Sequence, residues 1–100
     1  MEYNITSDGN TRSVHLSGRL SFTDHDLFRE ITASLKEPGP SNCVVDLSSL
    51  EFIDSAGLGL LLLCHETAKE NNISLHLTGG REQVSKMLEI TKFNEVVPIR

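Results

Sequence analysis

The stretch that most constrains this chain is Cys43-Val44-Val45-Asp46-Leu47, followed by Leu58-Gly59-Leu60-Leu61-Leu62-Leu63-Cys64. The first run is short, β-branched and bounded by turn residues. A strand apolar on both faces reads as a central parallel strand covered by helices. The second run is apolar all round at helical length, and such a helix is buried on more than one side. A central strand joined to a buried helix calls for a layered α/β domain.

The flanking patterns agree. Tyr3 and Ile5 alternate with polar residues, as do Val14 and Leu16, and Ser7-Asp8-Gly9-Asn10 between them has turn composition. This predicts a half-buried hairpin. Thr23-Asp24-His25-Asp26 reads as a capping box, and Leu27, Phe28, Ile31 and Leu35 follow as one helical stripe. Pro38-Gly39-Pro40 should end that helix. Ser48 to Ile53 reads as a connecting loop, and a helix is predicted from about Asp54 to Asn71. Ile73, Leu75 and Leu77 alternate as a strand, Gly79-Gly80 turns the chain, and Val84, Met87 and Leu88 stripe a third helix. Val96, Val97 and Ile99 predict a final short strand. The order β-β-α-β-α-β-α-β predicts a mostly parallel mixed sheet with an N-terminal hairpin and helices packed on it.

The chain has 100 residues, one domain's worth, so residues 1–100 are read as a single unit. Its net charge of −5 and scattered basic residues such as Arg81 and Lys86 argue against nucleic acid as a partner. Cys43 and Cys64 are too few for a disulfide framework, and both sit in apolar runs where Cys acts as a small hydrophobe. His15, His25, His65 and His76 form no metal-ligand spacing, so neither a metal nor another cofactor is expected. The first residues carry no basic or apolar leader segment. No apolar run approaches the roughly 20 residues that span a bilayer. A cytoplasmic chain without direct membrane insertion is the expectation.

The unusual segment is Asp54-Ser55-Ala56-Gly57-Leu58-Gly59. Two glycines in a first helical turn each cost about 0.5–1 kcal/mol against Ala. Close packing on the sheet is the plainer reading, more for Gly59 than for Gly57. Gly57 should lie nearer the exposed end, where added bulk would obstruct a partner and leave the fold largely intact. Asp54 and Ser55 are both good N-cap residues and only one is needed. The other is free for another task. The helix N-terminus tolerates an added anion, so a phosphate on Ser55 would be locally acceptable. A nucleophile elbow, G-x-S-x-G, is absent because Ile53 stands at its first glycine. No phosphate-binding G-x-x-x-x-G-K-[ST] loop occurs either. An enzyme is therefore not expected, and a kinase acting on Ser55 would be another protein.

The run from Val44 through Asp46, Leu50, Ile53-Asp54-Ser55-Ala56-Gly57 to Gly59, with Gly18-Arg19-Leu20 before the first helix, resembles the STAS domain family of anti-sigma factor antagonists and sulfate-transporter regulatory domains. Leu88-Glu89-Ile90-Thr91 is similar to the end of that family's third helix. The resemblance implies that Ser55 is a regulatory phosphorylation site. It implies a partner surface of Gly18, Arg19 and Ser21 with Asp54, Ser55, Ala56, Gly57 and Leu58. The implied partners are a GHKL-type serine kinase, often an anti-sigma factor, and a metal-dependent serine phosphatase. The alternative within the family is an accessory subunit docked on an ABC transporter ATPase, without a phosphorylation cycle. Two positions depart from the pattern. Ser21 stands where an Asp is frequent, and Thr91-Lys92-Phe93 replaces Thr-Gly-Leu, which suggests different C-terminal packing. A full final helix of the family type is not expected after Ile99.

Overall fold

The computed structural model describes residues 1–37 and 39–100. Strands β1 (Glu2–Asp8) and β2 (Thr11–Leu20) form the predicted antiparallel hairpin, paired from Glu2↔Ser17 to Asp8↔Thr11. Gly9, at φ +60°, occupies its tight turn, where a left-handed backbone favours glycine. Helix α1 (His25–Ser34) leads to β3 (Asn42–Ile53), parallel to β2. Helix α2 (Ser55–Glu70) leads to β4 (Ser74–Thr78), parallel to β3. Helix α3 (Glu82–Ile90) and a short 3-10 turn at Phe93–Glu95 complete the chain. The sheet order is β1-β2-β3-β4, the mixed sheet with an N-terminal hairpin that the sequence predicts.

One core holds the fold together. Val14 and Leu16 of β2, Cys43, Val45 and Leu47 of β3, and Leu75 and Leu77 of β4 are buried with Phe28, Ile31, Leu61, Cys64 and Val84 of the helices. The other face of β3 is not covered in this way, contrary to the sequence reading. Val44 and Asp46 stay partly exposed there, and His15 Nδ1 lies 3.1 Å from Asp46 Oδ2. Helix α2 buries Leu58, Leu60, Leu61, Cys64 and Ala68, but Leu63 remains 46% exposed.

Three further expectations are corrected. Ser48 to Ile53 is not a loop but the second half of β3, paired through Ser17↔Ser49, Gly18↔Leu50, Arg19↔Phe52 and Leu20↔Ile53. The capping box lies earlier than Thr23/Asp26, since the Ser21 N–H donates to Asp24 Oδ2 at 2.9 Å. The final strand is reduced to one bridge, Leu77↔Ile99. Pro98 has no N–H to extend a ladder, though its carbonyl accepts from Leu77 N–H at 2.9 Å. Helix α1 ends at Ser34, ahead of the Pro38-Gly39-Pro40 stop, of which Pro38 lies outside the described residues. At Thr91-Lys92-Phe93 the backbone of Lys92 is left-handed, φ 53°, and Phe93 is buried. The turn that glycine favours is kept with a lysine in it.

Candidate functional site

The site forms where the C-terminal ends of β2 and β3 meet the start of α2. In a parallel β3-α2-β4 unit, the helix begins at the carboxyl end of its strand, where ligands and partners commonly bind in α/β sheets. Asp54 is the N-cap: its extended backbone precedes the helix, and its Oδ1 accepts from Gly57 N–H at 2.7 Å. The Asp54 carbonyl accepts from Leu58 N–H at 3.0 Å, and Asp54 N–H donates to Leu20 O at 3.3 Å. Asp54 is therefore fixed on three sides. Ser55, first residue of the helix, is exposed. Of the two candidate caps, Asp54 takes the role and leaves Ser55 at the surface.

The first turn of α2 holds no acidic side chain. Its amides and dipole are thus offset only by the capping carboxylate of Asp54. An anion on Ser55 would sit at the positive end of the helix, one residue from that carboxylate.

Gly57 and Leu58 differ from the expected surface. Both are buried. A Cβ built on Gly57 would lie 2.7 Å from Leu20 O, 2.8 Å from Ile53 Cγ1 and 3.1 Å from Leu20 Cγ. Glycine here lets the helix start sit directly on the ends of β2 and β3. The expectation that Gly57 lies at the exposed end is overturned. Gly59, read as the packing glycine, is exposed and has open space around its Cβ position.

The β2 side brings Gly18, Arg19 and Ser21 to the same end of the sheet. Gly18 has φ +84° and faces an irregularity in the β2–β3 register where β3 carries the extra residue: Gly18 pairs with Leu50 and the next residue, Arg19, with Phe52. That next residue, Arg19, is exposed, with its guanidinium 4.2 Å from the centre of the Phe52 ring. Ser21 is half-buried, and its hydroxyl lies 3.0 Å from Thr23 Oγ1. Ala56 is half-buried beside Ser55.

The sequence reading missed Phe22. It is 73% exposed on the 3-10 turn Phe22–Asp24, which packs against α2, and its ring stacks loosely on His25 at 6.4 Å. A lone aromatic among Ser21, Thr23 and Asp24 carries no periodicity to flag it. An exposed aromatic of this kind suits a protein-binding patch rather than a substrate pocket. Among the described residues no cluster of His, Cys, Asp and Glu has the makings of a metal site, and no helix is long and apolar enough to cross a membrane.

Comparison with known proteins places the chain in context. Residues 2–100 match the STAS domain family. A STAS-domain containing protein of Pseudomonas aeruginosa is 31% identical over 94 residues, covering 94% of this chain and 92% of that protein. An anti-sigma-B factor antagonist of Staphylococcus aureus is 23% identical over 101 residues, covering 99% and 94%. Among solved structures, the anti-sigma factor antagonist SpoIIAA in its unphosphorylated form superposes with TM-score 0.80 at 16% identity, covering 99% of this chain and 88% of that one. A sulfate transporter family protein from Wolinella succinogenes gives TM-score 0.75 at 18% identity, covering 90% and 73%.

Proposed function

The chain belongs to the STAS domain family, and from that premise we propose that it is a partner-switching regulator controlled by phosphorylation of Ser55. Unphosphorylated, it binds a GHKL-type serine kinase that doubles as an anti-sigma factor, and so frees that factor's other client. The kinase phosphorylates Ser55 and the complex separates. A metal-dependent serine phosphatase restores the binding form. The single observation that carries this reading is the division of labour at the helix start. Asp54 caps α2 through Gly57 N–H at 2.7 Å, so the exposed Ser55 can be modified without loss of the cap.

The same geometry supports a switch that acts at the interface. A phosphoserine adds about −1.5 to −2 charge, and the helix N-terminus absorbs part of it locally. The fold has little reason to rearrange. A partner seated on Phe22, Arg19, Ser55 and Ala56 would instead meet an unpaired dianion, which costs about 2–5 kcal/mol when desolvated in an interface.

The test combines phosphopeptide mapping of the chain from its source cells with titration of a GHKL-type anti-sigma kinase from those cells. Wild type and Ser55→Ala should bind alike, and Ser55→Asp more weakly. Phosphate on Ser48 or Ser49 instead, with Ser55→Asp binding as tightly as wild type, refutes the assignment. The likeness to a sulfate transporter family protein favours one other reading, docking on a transporter ATPase. A stable complex with such an ATPase, indifferent to Ser55→Asp, would select it.

A further inference from the structure

Strand β4 covers only the first part of β3, pairing from Asn42↔Ser74 to Asp46↔Thr78. Beyond Asp46 the outer edge of β3 continues to Ile53 with no strand beside it. Backbone N–H and C=O groups on such an edge need other partners. At Ile53, directly ahead of the cap residue Asp54, a side chain takes the place of the missing strand. Ile53 N–H donates to Gln83 Oε1 at 2.9 Å, and Gln83 Nε2 donates to the Ile53 carbonyl at 2.8 Å. A carboxamide carries one donor face and one acceptor, so it can pair with a peptide unit as a second peptide would.

The opposite edge is held as well. Leu20 of β2 pairs with Ile53, and its carbonyl accepts from Asp54 N–H at 3.3 Å. The two residues ahead of Ser55 are thus gripped from both sides, by β2 and by α3. The residue before Gln83 is also unusual. Glu82 has φ +49°, a left-handed conformation rare for a residue with a side chain. Such conformations persist where the surrounding structure over-determines them. Here the left-handed residue opens the helix turn that delivers Gln83 to Ile53.

We propose that Gln83 is a positioning residue for Ser55: its carboxamide fixes the Ile53–Asp54 backbone and so the direction in which α2 presents the serine. The functional part of this inference rests on Ser55 being the modified residue. Helix α3, remote from Ser55 in sequence, becomes part of the switch through these two hydrogen bonds.

The test compares Gln83→Met and Gln83→Glu with wild type. Met fills a similar volume without hydrogen bonds. Glu keeps an acceptor for Ile53 N–H but sets a second oxygen against the Ile53 carbonyl. Site-resolved amide exchange should accelerate about tenfold at Ile53 in Gln83→Met and less in Gln83→Glu, with Val45 and Leu77 unchanged. Ser55 phosphate occupancy in the source cells should fall in the same order. If Gln83 served only to fill space, Gln83→Met would exchange and be modified like wild type, and the inference would fall. Faster exchange at Ile53 with Ser55 modified to the wild-type extent would also overturn it. If wild-type protein carries no phosphate at Ser55, the proposed switch fails on its own account. The positioning role is then decided by exchange at Ile53 alone.

Discussion

Gly57 and Gly59 stand two positions apart in one helix turn and have opposite roles. A Cβ at Gly57 would meet the Leu20 carbonyl at 2.7 Å, and backbone cannot step aside as a side-chain tip can. Gly57→Ala should cost about 1–3 kcal/mol, the range for overpacking a filled site, and Gly57→Val more. Gly59 is helical and meets nothing, so Gly59→Ala should stabilise by about 0.5–1 kcal/mol. Urea unfolding of both variants checks the pair, and equal effects at the two glycines would contradict the geometry. The sequence reading ranks them the wrong way round, because α2 is apolar nearly all round and its pattern does not say which side faces the sheet. The caps are a similar case. Asp54 and Ser55 are equally good candidates on paper, and only the 2.7 Å contact from Gly57 N–H separates them. Asp54→Ala should therefore cost about 1 kcal/mol, and Ser55→Ala should leave unfolding nearly unchanged. The reverse ranking would make Ser55 the cap and remove the main support for its being free to carry phosphate.

At the scale of elements, the hairpin, β4, α1 and α3 are legible from a period of two or of 3.6, and the first half of β3 and α2 from apolar runs too continuous for either period. What was misread lies where the period breaks. The second half of β3 looked like a loop because Ser48, Ser49 and Glu51 interrupt the apolar pattern, and irregularities in the β2 register shift the parity of its buried positions. Ser49 and Glu51 are exposed there, so polar side chains are tolerated. The final strand was overcalled because Val96, Val97 and Ile99 have strand composition while Pro98 limits pairing to one bridge. The end of α3 carries its own test. Lys92 follows the helix with φ 53°, and its N–H donates to the Glu89 carbonyl at 3.1 Å, a left-handed helix stop built without glycine. A residue with a side chain costs roughly 1–2 kcal/mol in that conformation, less the backbone entropy that glycine brings. Lys92→Gly should raise the urea midpoint by the equivalent of about 1 kcal/mol, with the slope of the transition unchanged. A lower midpoint would mean that the lysine stem supplies packing worth more than the strain.

For the whole molecule, the shifted groups define a pH window for folding. His65 and His76 are both held below their ordinary 6.5, first by burial and then by a neighbouring cation, Lys69 and Arg100 respectively. Glu66 opposes the shift at His65 without cancelling it. Their folded forms disfavour the proton, so the unfolded chain binds more protons as pH falls below about 6.5. Stability is lost in that direction. Asp46, held low chiefly by the Ser48 N–H and also by His15, acts with the same sign in the carboxylate range. On the alkaline side burial pushes Cys43 up to about 11 and Cys64 up to about 12, from an ordinary 9.0. The folded thiols stay protonated while the unfolded chain ionises, so stability present below pH 9.0 is lost as pH rises toward those values. Tyr3, raised by its hydrogen bond to Glu30, adds a small effect of the same sign. Melting temperature against pH should form a plateau between about 6.5 and 9.0 with a fall on each side. The double variant His65→Gln, His76→Gln should flatten the first part of the acid limb. Cys43→Val, which removes a buried thiol at similar volume, should flatten the alkaline limb. An unchanged acid limb in the double variant would assign the acid loss to the carboxylates alone. None of these groups touches Ser55, so Ser55→Asp should leave both edges of the plateau in place while partner affinity falls.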